Sequence, residues 1–328
     1  MNFVQQDWPS EVVKTLIKNT VLGSNGARYR HINAIEQLKK LDNPLYFSLM
    51  AKEQCLGNIT LCQRNQSLYL RYFTFHERYQ ASLYSIKRKK SKNSVIKEQV
   101  NRYLNSLIAE TKQSIYAYIE PDNIRSINMA KEFGFNPIAK IAMYHFSRRF
   151  PKASGQFKLL TYDEAIPYIR NQFSTHSYYV ENPQSGLYAA WITNNEMAII
   201  TRFHEGCWEI KSMKGAFGKL LINLIPWVPI LNKIITPNCH KFLAFDSFLV
   251  LNPSIDTKEL NAFLSAGLAH FNGRHMMHWV DESAASSNYL HGVRWGILDK
   301  IIGKSEISLM VKGHAKSGPY FIDAMDML

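Results

Sequence analysis

The sequence predicts an α/β (α+β) protein of two units, each mixing strands with flanking helices. Three observations predict it. Strand-like and helix-like segments alternate along 328 residues, a length that suggests two domains. The pattern breaks at 147–156 (SRRFPKASGQ), a basic segment with Pro, Ser and Gly that reads as a linker. The two halves also end alike. Residues 119–135 (IEPDNIRSINMAKEFGF) line up loosely, with one insertion, with 280–297 (VDESAASSNYLHGVRWGI). Each has an apolar strand, an acidic turn, a short helix, and Gly134 or Gly296 near its end, a weak repeat of whole units. The expected domains are 1–149 and 150–328.

Residues 45–75 carry three apolar runs rich in aromatic and β-branched residues, LYFSLMA, LGNITLC and SLYLRYFTF, with a polar turn at Arg64, Asn65 and Gln66 before the last. They read as strands. Residues 34–41 read as a helix before them. In 94–107, Val95, Ile96, Val100, Leu104 and Leu107 recur at helical spacing. SIYAYI (114–119) is a strand, 123–133 a short helix ending at Gly134, a residue suited to a left-handed C-cap. One or two strands over 138–146 close the first unit. In the second unit, 162–172 reads as a helix and 186–200 as a hairpin about Asn194 and Asn195. Strands follow at 208–213 and 242–251. A helix at 257–271 has Asp256 as N-cap. A strand at 275–280, a short helix at 286–293 and a strand at 307–311 complete the unit.

Hydrophobic residues at 46% and charged residues at 20% exclude wholesale disorder, collagen and a coiled-coil rod. Cys55, Cys62, Cys207 and Cys239 form no CxxC pair, which removes a disulfide scaffold, a zinc ribbon and a thioredoxin-type motif. Lysine and arginine total 39 against 26 acids, a net charge of +13 that favours polyanionic partners. The first residues, MNFVQQDWPS, lack a basic region followed by an apolar one, so a cytoplasmic protein is expected. The most hydrophobic stretch, 217–235 (FGKLLINLIPWVPILNKII), is interrupted by Asn223, Pro226 and Pro229 and is too broken for a spanning helix. It reads as a buried connection with a Pro-broken helix. The alternative is an interfacial contact with an anionic membrane, Trp227 at headgroup depth.

Asn123, Ser126 and the run Glu132-Phe133-Gly134-Phe135 resemble the late motif of the GNAT acyltransferase superfamily. There the motif follows a strand, here SIYAYI, and precedes a final strand pair. The resemblance covers roughly 1–149, and the second half looks like a degenerate second copy, so the whole chain resembles a tandem GNAT protein. The resemblance implies acetyl-CoA or another acyl-CoA as co-substrate, no metal, and a small-molecule or peptide amine as acceptor. Nucleic acid is not expected as a partner. It places the pyrophosphate grip at the start of the helix after the fourth strand, where free amides and partial positive charge suit an anion. Here that place is RKKSKN, so Arg88, Lys89, Lys90, Ser91, Lys92, Asn93 and Ser94 are the implied cofactor-binding residues, with Asn123 on the pantetheine arm. Ser91 and Asn93 stand where the family has glycines, and neighbouring cations would compensate by direct charge contact. The competing readings are a solvated basic loop for the cluster and a helix N-cap for Asn123.

Acyl transfer to an amine requires loss of an amine proton, polarisation of the thioester carbonyl and protonation of the leaving thiolate. A backbone amide on the strand over 69–75 would polarise the carbonyl. The family often has a tyrosine acid at the position occupied here by Ala130. Glu120, Tyr118 and His76 are therefore the catalytic candidates, with Tyr116, Tyr144 and Glu77 as alternatives. The bland reading of the tyrosines is a strand aromatic in the core. His270, His275, His278 and Asp281 invite a metal reading, but strand alternation points His275 and His278 to opposite faces. The chain has no GxxxxGK[ST], GxSxG or HExxH.

Overall fold

The computed structural model describes residues 1–328 except 24–26, 42, 77–91, 184, 214–217, 230, 285 and 304, and the side chains of 92–94, 219 and 221. The chain divides into two compact units. The first comprises Met1–Gly26, Ala34–Ala139 and Ile307–Lys316; the second comprises Ala27–Asn33, Lys140–Glu306 and Ser317–Leu328.

The first unit holds β1 (Asn2–Gln6), α1 (Glu11–Asn19), α2 (Ala34–Lys39), β3 (Pro44–Ala51), β4 (Gln54–Arg64), β5 (Ser67–Phe75), α3 (Lys92–Thr111), β6 (Ser114–Ile119) and α4 (Ile124–Glu132). Its sheet runs β1-β3-β4-β5-β6-β13, with β13 at Ser305–Lys312. Every pair is antiparallel except β5 with β6. The apolar runs of the sequence become these strands because alternate residues meet one core: Phe47, Leu49, Ile59, Leu61, Leu68, Phe75 and Ile115 pack with Ile96, Val100 and Leu104 of α3. The helical spacing read at 94–107 is thus the buried stripe of α3.

The second unit takes β2 (Arg28–His31) from the N-terminal part of the chain. It continues through β8 (Phe157–Leu160), α5 (Tyr162–Phe173), β9 (Leu187–Thr193), β10 (Glu196–Ser212), α6 (Gly218–Leu224), β11 (His240–Val250), α7 (Thr257–His270), β12 (His275–Asp281), α8 (Ser287–Leu290) and α9 (Ile297–Ile302). Its sheet runs β7-β12-β11-β10-β9-β8, with β2 on β10 and with β7 at Asn136–Ser147. Again only the pair β11 with β12 is parallel. Asn194 and Asn195, both at positive φ, turn the β9–β10 hairpin as expected. The core lies between this sheet and α7, around Trp191, Phe203, Phe245, Phe263 and Phe146.

Three expectations change. The second arm of the hairpin expected over 186–200 and the strand expected at 208–213 are joined in one 17-residue strand, β10. It runs through Gly206 because the missing side chain leaves room for Phe242 opposite it. The strand expected over 138–146 to close the first unit belongs, from Lys140 on, to the second. β13, from the far end of the chain, pairs with β6, while β7 pairs with β12 from Ile141 to Ser147. Period-two patterning identifies a strand but not its neighbour. The segment 217–235 is only half covered: Ile225, Ile234 and Ile235 are buried, whereas Leu220, Leu224 and Trp227 are exposed. Among the described residues no helix is long and apolar enough to cross a membrane.

Candidate active site: two strand notches

Each unit contains the same backbone device. The parallel strands β5 and β6 share three rungs, Ser67–Ser114, Leu68–Ile115 and Tyr69–Tyr116, pinned at the closed end by a 3.0 Å hydroxyl contact between Ser67 and Ser114. β5 then continues to Phe75 and β6 to Ile119 with no further rung. The cause is local. The β4–β5 register shifts between Thr60 and Leu61, so that Arg71 is left over as a bulge two residues past the last rung. A bulge bends its strand away from the neighbour. In the second unit, β11 and β12 share Leu243–Met276, Ala244–Met277 and Phe245–His278 and then part. There the register shifts between Ile200 and Arg202, and Ser247, at φ 52°, lies two residues past the last rung. Both notches leave strand-edge amides and carbonyls unused by a ladder, and an extended ligand can pair with such an edge.

In the first notch, Tyr118 and Glu120 lie on the β6 side and His76 at the end of β5, its N–H donating to the Leu56 carbonyl at 3.0 Å. Tyr118 is half-buried against Tyr69 and Tyr116, with ring centroids 5.6 and 5.7 Å away. Glu120 is half-buried, and its carbonyl accepts from Asn123 N–H. The Asn123 side chain accepts from Ser126 N–H at 3.2 Å and caps α4. Gly134, at φ 81°, ends that helix. Ala130 is buried in the core, so this side chain supplies no acid. Arg88, Lys89, Lys90, Ser91 and Glu77 lie outside the described residues. Lys92, Asn93 and Ser94 form the start of α3, their side chains undescribed, and the first turn of α3 has no acidic residue.

The second notch is furnished differently. Asp256 accepts from Glu259 N–H at 2.7 Å, and Glu259 accepts from Asp256 N–H, so carboxylates fill the start of α7. Residues 320–324 bridge the two sides: Tyr320 N–H donates to Asp281 of β12 at 3.0 Å and Ala324 N–H to Asp246 of β11 at 2.7 Å. Asp246 belongs to a buried cluster. Arg202 grips it with two 2.8 Å bonds and reaches Asp323 at 3.4 Å. The guanidinium holds the Asp246 carboxyl far below the usual range against the opposing effect of burial. His204, Asp246 and Asp323 could geometrically present three ligand atoms within 4.8 Å, but Arg202 already takes both Asp246 oxygens.

A cleft of about 330 Å³, counting space open to solvent, remains in this notch, lined by Ser247, Phe248, His278, Trp279, Tyr320 and His176 among others. His278 Nδ1 contacts the Phe245 carbonyl at 2.7 Å, which fixes the proton on Nδ1. Its buried Nε2 has no hydrogen-bond partner. Burial lowers its pKa to about 4, so at neutral pH Nε2 is a bare acceptor.

The histidines read as possible metal ligands are not brought together. His270 packs on Phe157, His278 bonds Phe245, and His275 stands between His240 (2.8 Å) and His145 (3.1 Å). That last trio was not anticipated, nor was the thiol pair Cys207 and Cys239 with sulfurs 2.6 Å apart, where burial first and then Cys239 push the Cys207 thiol up to about 12. Separations of 35 and 130 residues within the histidine trio, 32 for the thiols and 121 for Arg202–Asp323 leave no local sequence signal.

This fold is shared with solved structures. One is the N-myristoyltransferase of Saccharomyces cerevisiae with bound myristoyl-CoA (TM-score 0.54, 8% identity, 96% of this chain and 84% of that one). Another is a tandem GNAT protein from the clavulanic acid biosynthesis pathway (TM-score 0.54, 9% identity, 97% of this chain and 99% of that one). No protein-family model and no curated protein sequence matches the chain.

Proposed function

We propose that the protein is an acyl-CoA-dependent N-acyltransferase, with acetyl-CoA or a longer acyl-CoA bound by the first unit. The observation that carries this reading is the three-rung notch opening after Tyr69 and Tyr116, followed in the chain by a helix whose first turn lacks an acid. Two further points support it: a basic run, 87–90, just before that helix, and the shared fold with structures that include one holding myristoyl-CoA. The pyrophosphate would sit at the start of α3 on Arg88, Lys89, Lys90, Ser91, Lys92, Asn93 and Ser94, and the pantetheine would pair along the open edge near Asn123. The amine nitrogen attacks the thioester carbonyl carbon, the C–S bond breaks, and an amide and CoA thiol result. Glu120, directly or through water, takes the amine proton; Tyr118 or His76 returns one to the thiolate.

Isothermal titration of acetyl-CoA into wild type and an Arg88→Ala/Lys90→Ala/Lys92→Ala variant tests the donor site. Saturable binding that the variant loses is expected. Wild type that binds neither acetyl-CoA nor longer acyl-CoA would leave a non-catalytic GNAT scaffold, a reading to which the substituted glycine positions Ser91 and Asn93 and the core residue Ala130 also point.

A further inference from the structure

The second unit carries an apolar face that the acyl-transfer reading does not use. α6 and the short 3₁₀ turn Ile225–Trp227 form one continuous excursion between β10 and β11. One side is covered: Ile222 and Ile225 pack with Ile234, Ile235 and Leu298. The other side is open. Leu220 is 53% exposed, Leu224 48%, Trp227 82% and Val228 39%. These positions recur at helical spacing, so they form one stripe, unlike the scattered exposed apolar residues of an ordinary surface. Trp227 is held there by structure: Asn232 Nδ2 donates to the Pro226 carbonyl at 3.1 Å, and Asn232 N–H to the Val228 carbonyl at 3.0 Å.

Along this stretch of sequence the charge has one sign, with Glu209 at its edge paired to Lys211. From Ile210 to Phe245 the sequence contains Lys211, Lys214, Lys219, Lys233 and Lys241 and no acidic residue. Lys233, exposed, lies 5.8 Å from the ring of Phe150, itself 66% exposed, with the Arg149 guanidinium 4.9 Å from the same ring. An aromatic tip, an aliphatic stripe and lysines along the flanking sequence match the boundary between headgroups and acyl chains of an anionic leaflet.

We propose that the exposed side of Gly218–Leu224 and Ile225–Trp227, with Phe150 and Lys233, is an interfacial docking surface for a bilayer bearing anionic lipids. It lies on the membrane without spanning it. The proposal does not depend on the acyl-transfer reading. A protein partner of matching chemistry would be an acidic amphipathic helix; the exposed tryptophan and the flanking lysines favour the lipid surface.

Co-sedimentation with vesicles of phosphatidylcholine, with and without phosphatidylserine, tests it. Wild type should partition onto the anionic vesicles at least about tenfold better than onto neutral ones and lose the difference as salt is raised. Leu224→Ala/Trp227→Ala should lower anionic partitioning about tenfold, with circular dichroism and acyl-CoA binding unchanged. Lys233→Glu should weaken it less. No vesicle binding at low salt would overturn the proposal. So would a Leu224→Ala/Trp227→Ala protein that binds like wild type, which would assign attachment to charge alone. Saturable binding of an acidic amphipathic peptide without vesicle binding would assign the face to a protein.

Discussion

In the first unit the parallel strands part after Tyr69 and Tyr116; in the second they part after Phe245 and His278. Each parting falls two residues before a bulge, at Arg71 and at Ser247. The backbone device is thus common, and the side chains around it are not. In the first unit the helix that follows β5 in the chain starts free of acids, after a basic run. In the second the helix that follows β11 in the chain has Asp256 and Glu259 at its start, and the sides of the notch are bridged by Tyr320 and Ala324. There Arg202 pairs with Asp246 and Asp323, while His278 keeps a bare Nε2. The same strand parting is therefore furnished differently in the two units, and in the second a cleft lined by Ser247, His278 and Tyr320 remains beside the bridging segment. Four experiments sharpen that contrast, and the largest effect comes from pH.

The fully buried histidines with lowered pKa all belong to the second unit. Burial brings His145, His240 and His278 to about 4, and burial with its two histidine neighbours lowers His275 further. Between the usual 6.5 and about 4 the unfolded chain takes up protons that the folded chain refuses. Stability is therefore unimpaired above pH 6.5 and falls as pH drops through that window, by on the order of 1.4 kcal/mol per pH unit for each group. Amide exchange after denaturant titration at stepped pH should show β11 and β12 opening before β4 and β5. Equal loss in both units would remove the histidines as the cause.

Next in size is Arg202→Ala. It strands two buried carboxylates, Asp246 and Asp323, and should cost about 3–5 kcal/mol. The loss should appear as a lower melting transition of the second unit, with acyl-CoA binding by the first unit retained below that transition. A cost under about 1 kcal/mol would mean that water reaches the cluster.

A matched pair of glycines comes third. Gly57 faces Phe75 across β4–β5, and Gly206 faces Phe242 across β10–β11. An added Cβ would stand 2.3 Å from the Phe75 ring, or 2.5 Å from Phe242 and Leu328. Gly57→Ala and Gly206→Ala should each destabilise by about 1–3 kcal/mol, with Gly57→Ala also weakening acyl-CoA binding because Phe75 ends the β5 side of its notch. Chemical denaturation of both variants checks the costs; titration calorimetry checks the binding. Loss of acyl-CoA affinity in Gly206→Ala but not in Gly57→Ala would reverse the assignment of the two notches.

Much of the fold was legible because core contacts imprint a period. LYFSLMA, LGNITLC and SLYLRYFTF are strands with buried alternate residues, and the stripe from Ile96 to Leu107 is the buried face of α3. β1 (NFVQQ) and β8 (FKLL) left little imprint, being short edge strands with mixed exposure. The exchange of β7 and β13 left none, since pairing partners are chosen in three dimensions. At the site, motif spacing placed Tyr118, Glu120 and Asn123 together beside one notch because they are neighbours along the chain. Arg202, Asp246 and Asp323 meet only through the β10–β11 register and the path of the last residues. A reader of the sequence sees three unremarkable charges there.

The smallest effect concerns the acids at the start of α7. Asp256→Ala removes a cap and should cost about 1 kcal/mol. Asp256→Ser with Glu259→Gln keeps hydrogen-bonding side chains at the cap and removes both charges, so its cost should stay within roughly 0.5 kcal/mol. That variant separates two reasons for expecting no acyl-CoA at the second notch. If the carboxylates alone repel the pyrophosphate, calorimetry should reveal a second, weaker CoA site once they are neutral. We expect the stoichiometry to remain one, because Tyr320 and Ala324 still hold Asp281 and Asp246 and bridge the space that a pantetheine arm would need. A second site in the neutral variant would make charge, and not the bridging segment, the feature that distinguishes the two copies.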